Sequence, residues 1–204
     1  HDITIYELPQ QIQLDDELLH GCRELWAYFI GLLGNAVSDP AVSSIVLDTG
    51  TIARRVRADA HLQGLQENKK PSDAPRKQLL QIEWGVPGDA IRNIYTLMAG
   101  ANKNFIVTHH MTDKYEDVVT IGADGSSKVE SRNTGERILE GLPQTPRFVD
   151  IMLHSSKNDE GMHNEFVKCG NAPMLEGMPA GTTWDETMKM IEGALGGRVE
   201  MPKS

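Results

Sequence analysis

This sequence predicts a three-layer α/β sandwich, mostly parallel, with an antiparallel hairpin near residues 118–130. Three observations predict it. Ser44-Ile45-Val46-Leu47-Asp48-Thr49-Gly50-Thr51 is a short apolar run that ends in an acid and breaks into small, turn-forming residues. Asn104-Phe105-Ile106-Val107-Thr108-His109-His110 ends in the same style. Between them, Ile91, Ile94, Tyr95 and Met98 fall at i, i+3, i+4 and i+7, one apolar face of a helix. Two strands joined by a helical crossover run parallel and bring their ends to one edge of a sheet. In nucleotide-binding α/β proteins ligands sit at that edge, and a carboxylate there can hold Mg²⁺ through water. An ordinary core strand followed by a helix-capping Asp reads the same way on these eight residues.

The remaining elements follow in chain order. Ile3 to Leu8 alternates weakly and reads as a strand, and Pro9 to Leu14 as a connector. Asp15 and Asp16 open a helix whose apolar face is Leu18, Leu19, Cys22, Leu25, Trp26, Phe29, Ile30 and Leu33. Gly34, Asn35 and Pro40 end it. Trp26 and Phe29 are read as core rather than cofactor contacts. Residues 51–77 lack a clean period, hold Pro71 and Pro75, and read as a basic, mobile insertion. Asp89 caps the helix that follows, and Gly100 with Lys103 marks its end. Val118 to Ile121 and Lys128 to Glu130 flank an Asp124-Gly125 turn, a hairpin signal. Arg132 to Pro146 reads as a polar loop. Arg147 to His154 and Glu165 to Cys169 read as further strands. Thr183-Trp184-Asp185-Glu186 is a capping box that opens a helix bearing Trp184, Met188, Ile191 and Leu195 on one side. Gly196-Gly197 stops it. One core over 1–195 and a tail over 196–204 are expected.

Composition sets outer bounds. At 204 residues, one compact domain is the default. Cys22 and Cys169 give no disulfide framework and suit a reducing cytosol, so a cytoplasmic location is expected. No apolar run is long enough to span a membrane, so no membrane partner is expected. Net charge is −9, against a surface coated for nucleic acid. The charge is uneven, however. Residues 51–80 hold seven basic and three acidic side chains, a local +4 that leaves −13 elsewhere. Arg54, Arg55 and Arg57 in that stretch are candidates to track phosphates of single-stranded DNA or of a nucleotide. A solvated loop with surface charges is the other reading, and without interleaved aromatics there is no stacking platform.

Taken together, the strand ending in Asp48-Thr49, the Ile82-Glu83-Trp84-Gly85 segment, the helix and Phe105-Ile106-Val107-Thr108-His109-His110 resemble phage-type AAA/RecA-like P-loop ATPases. Phe148-Val149-Asp150-Ile151-Met152-Leu153 and Phe166-Val167-Lys168-Cys169-Gly170 fit the same pattern, so the likeness spans roughly residues 40 to 195. The resemblance implies a RecA-like core that binds ATP and Mg²⁺. It implies Asp48 as the acid that orders Mg²⁺ and water. Thr108, His109 and His110 would form the sensor of the γ-phosphate, and Glu83 would lie near the attacking water. It further implies DNA recombination, annealing or replication, a ring or filament of identical subunits, and a host cytoplasm if phage-encoded. Arg132, Arg137, Arg147 and Lys168 are candidates to reach a neighbour's phosphate or nucleic acid, with surface charge as the plainer reading.

One departure matters. No G-x-x-x-x-G-K-[ST] occurs in these residues, and neither Gly122-Ala123-Asp124-Gly125 nor Gly193-Ala194-Leu195-Gly196-Gly197 supplies the Lys and Ser/Thr that a phosphate cradle needs. The chain begins at His1, whereas family members carry the first strand, P-loop and first helix ahead of this part. An N-terminally incomplete chain, inactive alone, is therefore expected. The alternative from another class is a non-catalytic interaction or assembly module on a RecA-like scaffold. Competing chemistry is weaker. His109-His110 with Asp113, His154 and His163 invites a metal, but adjacent histidines on an extended segment point to opposite sides. Neither H-E-x-x-H nor G-x-S-x-G is present.

Overall fold

The computed structural model describes residues 3–8, 13–15, 18–70, 74, 76–121, 127–142, 144–159 and 161–194. The protein is mixed α/β. Where the sequence reads one core over 1–195, packing divides the chain into two compact units, one over residues 5–143 and one over residues 144–204 together with 1–4.

In the first unit, a short antiparallel pair, β1 (Gln13–Asp15) and β2 (Leu18–His20), precedes α1 (Cys22–Ser38). The helix therefore starts later than Asp15-Asp16 implies. Leu18 and Leu19 are extended, and Gly21 at φ 77° turns the chain into the helix, a conformation that glycine adopts at little cost. Phe29 is buried on α1, and Trp26 packs beside it at 5.4 Å between ring centroids. Ile3 to Leu8 joins no ladder, so the expected first strand is not found.

Next come β3 (Ser44–Leu47), α2 (Gly50–Glu67), a 3-10 turn at Gln81–Trp84, α3 (Gly85–Gly100) and β4 (Asn104–Val107). The crossover places β4 parallel to β3 in the register Ser44 to Asn104 through Leu47 to Val107. Ile91, Ile94, Tyr95 and Met98 are buried, as their spacing requires. Each such burial contributes about 1.5–3 kcal/mol. Asp89 lies inside α3 and pairs with Arg92 at 2.6 Å instead of capping it. Lys103 Nζ donates to the Asp39 carbonyl at 2.7 Å and to that of Val42, clipping the loop before β3 to the turn before β4.

The main correction falls in residues 51–77, read as a mobile insertion: residues 51–67, with Gly50, form the 18-residue helix α2, packed against both α1 and α3. Ala53, Val56, Ala58, Ala60 and Leu62 are buried, and so are Gln63 and Gln66. Gln63 Oε1 accepts from the Arg23 amide at 3.0 Å and Gln66 Oε1 from the Leu19 amide at 2.9 Å. Gln66 Nε2 donates to the Arg76 carbonyl at 2.6 Å. Buried amides stay inside only when bonded in this way.

The β3–β4 sheet is asymmetric. Ile45 is buried, and Phe105 meets Tyr95 of α3 at 6.1 Å between centroids, so this face lies under the helices. Ser44, Val46, Asn104 and Ile106 occupy the other face and are exposed. Parallel pairing among the described residues is confined to β3 and β4; every other ladder is antiparallel and two-stranded. The hairpin is longer than 118–130. It runs from β5 (Met111–Ile121) to β6 (Ser127–Leu139), with an irregularity between Asp113 and Tyr115. Arg132 to Leu139, read as loop, is thus strand. The Asp124-Gly125 turn lies outside the described residues.

The second unit has its own core of Phe166, Cys169, Ala172, Leu175, Ala180 and Ile191. Antiparallel β7 (Ile151–Asn158) and β8 (Gly161–Cys169) supply one wall, so the strand placed at Arg147 to His154 starts and ends later. Helix α4 (Trp184–Ala194) supplies the other. The capping box is formed: the Glu186 amide donates to Thr183 Oγ1 at 3.3 Å, and the Thr183 amide to Glu186 Oε2 at 3.3 Å. Buried Thr187 donates its hydroxyl to the Ala180 carbonyl. Leu195 and the 196–204 tail lie outside the described residues. No helix among the described residues is long and apolar enough to cross a membrane.

Candidate functional site

The carboxyl ends of β3 and β4 converge as their parallel register requires. Thr108 N donates to the Leu47 carbonyl at 3.1 Å, and Gly50 N to the Thr108 carbonyl at 2.9 Å. The Thr108 hydroxyl donates to Asp48 Oδ1. The Asp48–Thr49 peptide is cis. Thr49 begins α2 by accepting the Ile52 amide on its hydroxyl at 3.1 Å, an ordinary N-cap.

Strand alternation continues past the ends. Asp48 and Thr108 follow Val46 and Ile106 onto the exposed side. His109 turns to the helical side and is half-buried, while His110 is exposed again. His109 Nε2 lies 2.8 Å from the Tyr95 hydroxyl, and its Nδ1 lies 3.4 Å from Thr51 Oγ1. Burial holds this imidazole below its ordinary titration range, and His110 adds to the effect; a hydrogen bond with the Glu140 backbone opposes it. Gly50 makes room for the ring: a Cβ there would stand 2.8 Å from His109 Cε1 and Nε2.

Thr51 ties three segments together. Its hydroxyl oxygen accepts the His110 amide at 3.1 Å, and the hydroxyl donates to the Glu140 carbonyl at 3.3 Å. Glu140 N in turn donates to the His110 carbonyl at 2.9 Å, and His110 Nδ1 stands 3.9 Å from the Glu140 carboxylate. The start of α2, the end of β4 and the base of the hairpin therefore form one hydrogen-bonded cluster around Thr51, close in the chain to the Asp48–Thr108 pair.

Other residues singled out from the sequence have partners of their own. Glu83 Oε2 accepts the Leu80 amide at 2.7 Å and its Oε1 accepts from Arg76 at 2.6 Å, which holds the carboxyl below the usual range. Its described bonds cap the 3-10 turn and do not reach Asp48. The Arg54 guanidinium lies 4.7 Å over the Trp84 ring, and its stem packs on Gly141. Arg57 lies 5.7 Å over Trp26. Burial lowers the pKa of both arginines. Arg55 is exposed. Lys168 belongs to the other unit, where it donates to the carbonyls of Pro146 at 2.8 Å and Val149 at 2.6 Å. Among the described residues no three His, Cys, Asp or Glu stand close enough to share a metal ion.

Sequence reasoning placed Thr49, Gly50 and Thr51 at a strand end and Tyr95 on a helix face, but gave no site role to any of them or to Glu140. The usable signal was Tyr95: a tyrosine on a buried helix face brings a hydroxyl that must find a partner. Comparison with family models, with curated proteins and with solved structures finds no match to this chain.

Proposed function

We propose that this chain carries the acid-and-sensor half of a Mg²⁺-dependent, RecA-like ATPase that acts on DNA and assembles with copies of itself. The observation that supports the reading is the hydrogen-bonded pair of Asp48 and Thr108 at the ends of adjacent parallel strands. An exposed carboxylate there, flanked by hydroxyls, suits a Mg²⁺ ion held through water. When bound, Mg²⁺ neutralises charge on the transferring phosphate. Asp48 would order that ion's water shell, and Thr108 fixes the carboxylate rotamer. On this geometry Thr108 and His110 face the open side, and His109 acts behind them as a positioning residue.

The three-layer architecture belongs to the same proposal. Helices α1 to α3 form one layer, and the open face of Val46 and Ile106 is where a second would lie. Parallel sheets are ordinarily covered on both faces. The phosphate cradle would come from residues other than these 204.

ATP hydrolysis by the natural protein that contains this chain tests the reading. Asp48→Asn and Asp48→Ala are each expected to lower turnover by about 100-fold or more, with the circular dichroism spectrum unchanged. Turnover at the wild-type rate would remove Asp48 from the chemistry. Hydrolysis by the 204 residues alone, abolished by Asp48→Ala, would show instead that the cradle lies within them.

A second reading is a non-catalytic assembly module. It is favoured by the engagement of Glu83, Arg54, Arg57 and Lys168 in contacts within their own units. Nucleotide-independent function of the Asp48→Ala protein would select it.

A further inference from the structure

The second unit carries a polar groove outside its core. Leu153 and Phe166 pair across β7 and β8 and pack inward. Strand alternation therefore sends His154 and Ser156, with their opposite numbers Glu165 and His163, to the other face. The segment after β8 closes one side. It turns back at Gly177, where φ is 79°, and lies antiparallel beside β8. There Gly177 N donates to the Phe166 carbonyl and Ala180 N to the Asn164 carbonyl, both at 2.7 Å, and Pro179 stands opposite Glu165. His154, Ser156, His163, Glu165, Gly177 and Pro179 line one groove of about 300 Å³.

We propose that this groove binds one divalent transition-metal ion of the zinc type through His154 and His163, with Glu165 as third donor. Two imidazoles and a carboxylate are a donor set that such ions favour. The spacing suits chelation. His163 and Glu165 stand two residues apart on β8, while His154 lies opposite Glu165 and diagonal to His163. Such cross-strand Cβ atoms are about 4.5–8 Å apart, within the span of long side chains. Backbone pairing from 151 to 169 fixes these positions before any ion arrives. Among the described residues no three donors already converge on one point, so the set closes on binding. His163 Nε2 lies 2.8 Å from Asn158 Oδ1, and its ring leaves that partner to join. His163 and Glu165 are exposed, and exposed side chains change rotamer readily. Three protein donors leave a position for water. Hard ions such as Mg²⁺ prefer oxygen ligands, so this site is distinct from the one proposed at Asp48 and independent of nucleotide chemistry.

Titration of the 204-residue chain with Zn²⁺, followed by the imidazole resonances, tests it. One Zn²⁺ is expected to shift the ring signals of His154 and His163 together, and to stay bound in excess Mg²⁺. His154→Ala, His163→Ala and Glu165→Ala are each expected to weaken that binding by about tenfold or more. Asp48→Ala should leave it unchanged, which separates this site from the nucleotide reading. His154 is half-buried. If its alanine variant melts early, His154→Gln keeps the bulk and should show the same loss of zinc. His1, His109 and His110 are retained throughout, so zinc held by them survives the replacements. A wild-type chain whose His154 and His163 signals ignore zinc overturns the proposal. So does an affinity unchanged by any one of the three replacements.

Discussion

The Tyr95 hydroxyl lies 2.8 Å from Nε2 of His109, linking the buried face of α3 to the residue two places beyond β4. Tyr95→Phe keeps the ring against Phe105 and removes the hydroxyl. A half-buried ring nitrogen then loses its partner, which costs about 1–3 kcal/mol. Urea denaturation should show a lower midpoint with an unchanged slope. An unchanged midpoint would mean that solvent replaces the hydroxyl.

His109 also sets a pH dependence. Burial depresses its folded-state pKa below the ordinary 6.5, so on acidification the unfolded chain takes up a proton first. Stability therefore rises with pH through the window just below 6.5. The contribution is fully present above that window and is lost as pH falls through the folded-state value. Denaturation followed from about pH 8 to about pH 5 should show His109→Gln with a flatter profile than the wild type. Parallel profiles would assign the slope to other groups.

Two glycines of α2 should respond to alanine with opposite signs. A Cβ at Gly50 would stand 2.8 Å from the His109 ring and 2.9 Å from Val107 Cγ2, so Gly50→Ala should destabilise by about 1–3 kcal/mol. At Gly64, inside the same helix, a Cβ meets nothing within 4 Å. Gly64→Ala should stabilise by about 0.5–1 kcal/mol. Thermal melts of the pair give both signs in one experiment.

The three arginines of α2 should separate by role. Arg54 and Arg57 lie over Trp84 and Trp26, so their alanine variants should each cost about 0.5–1 kcal/mol of stability. Arg55 is exposed. If the basic segment tracks phosphates, Arg55→Ala should leave stability unchanged and reduce the salt slope of single-stranded DNA binding by about one. Binding that is flat in salt would point to protein partners.

What was legible in the sequence shares one property: burial on a single face. β3, β4 and α3 each pack one way, so Ile45, Phe105 and the Ile91-Ile94-Tyr95-Met98 stripe declare their periods. α2 lies between two helices and is buried on several sides, so no 3.6-residue stripe separates it from its surroundings. Gln63 and Gln66 are buried on it only because of partners at Arg23, Leu19 and Arg76 that are invisible locally. Arg132 to Leu139 pairs as a strand with nearly all its side chains in water, so no alternation marked it. Asp48, Thr108 and His109 were placed by the two strand ends. Thr51 and Glu140 meet only in three dimensions, 89 positions apart.

The β3–β4 pair also sets the order in which the chain can fold. Ser44 pairs with Asn104, and each following residue of β3 with one 60 positions later. No tight turn closes that ladder, so the entropy of a long loop must be overcome before its first bond forms. Docking of α2 on α3 shortens the effective distance and has to come first. During synthesis Ile45, Val46 and Leu47 leave the ribosome well before any partner strand exists, an apolar segment with both edges bare. Pulsed amide labelling during refolding should find the helices protected early and the amides of Ile45 and Val46 among the last.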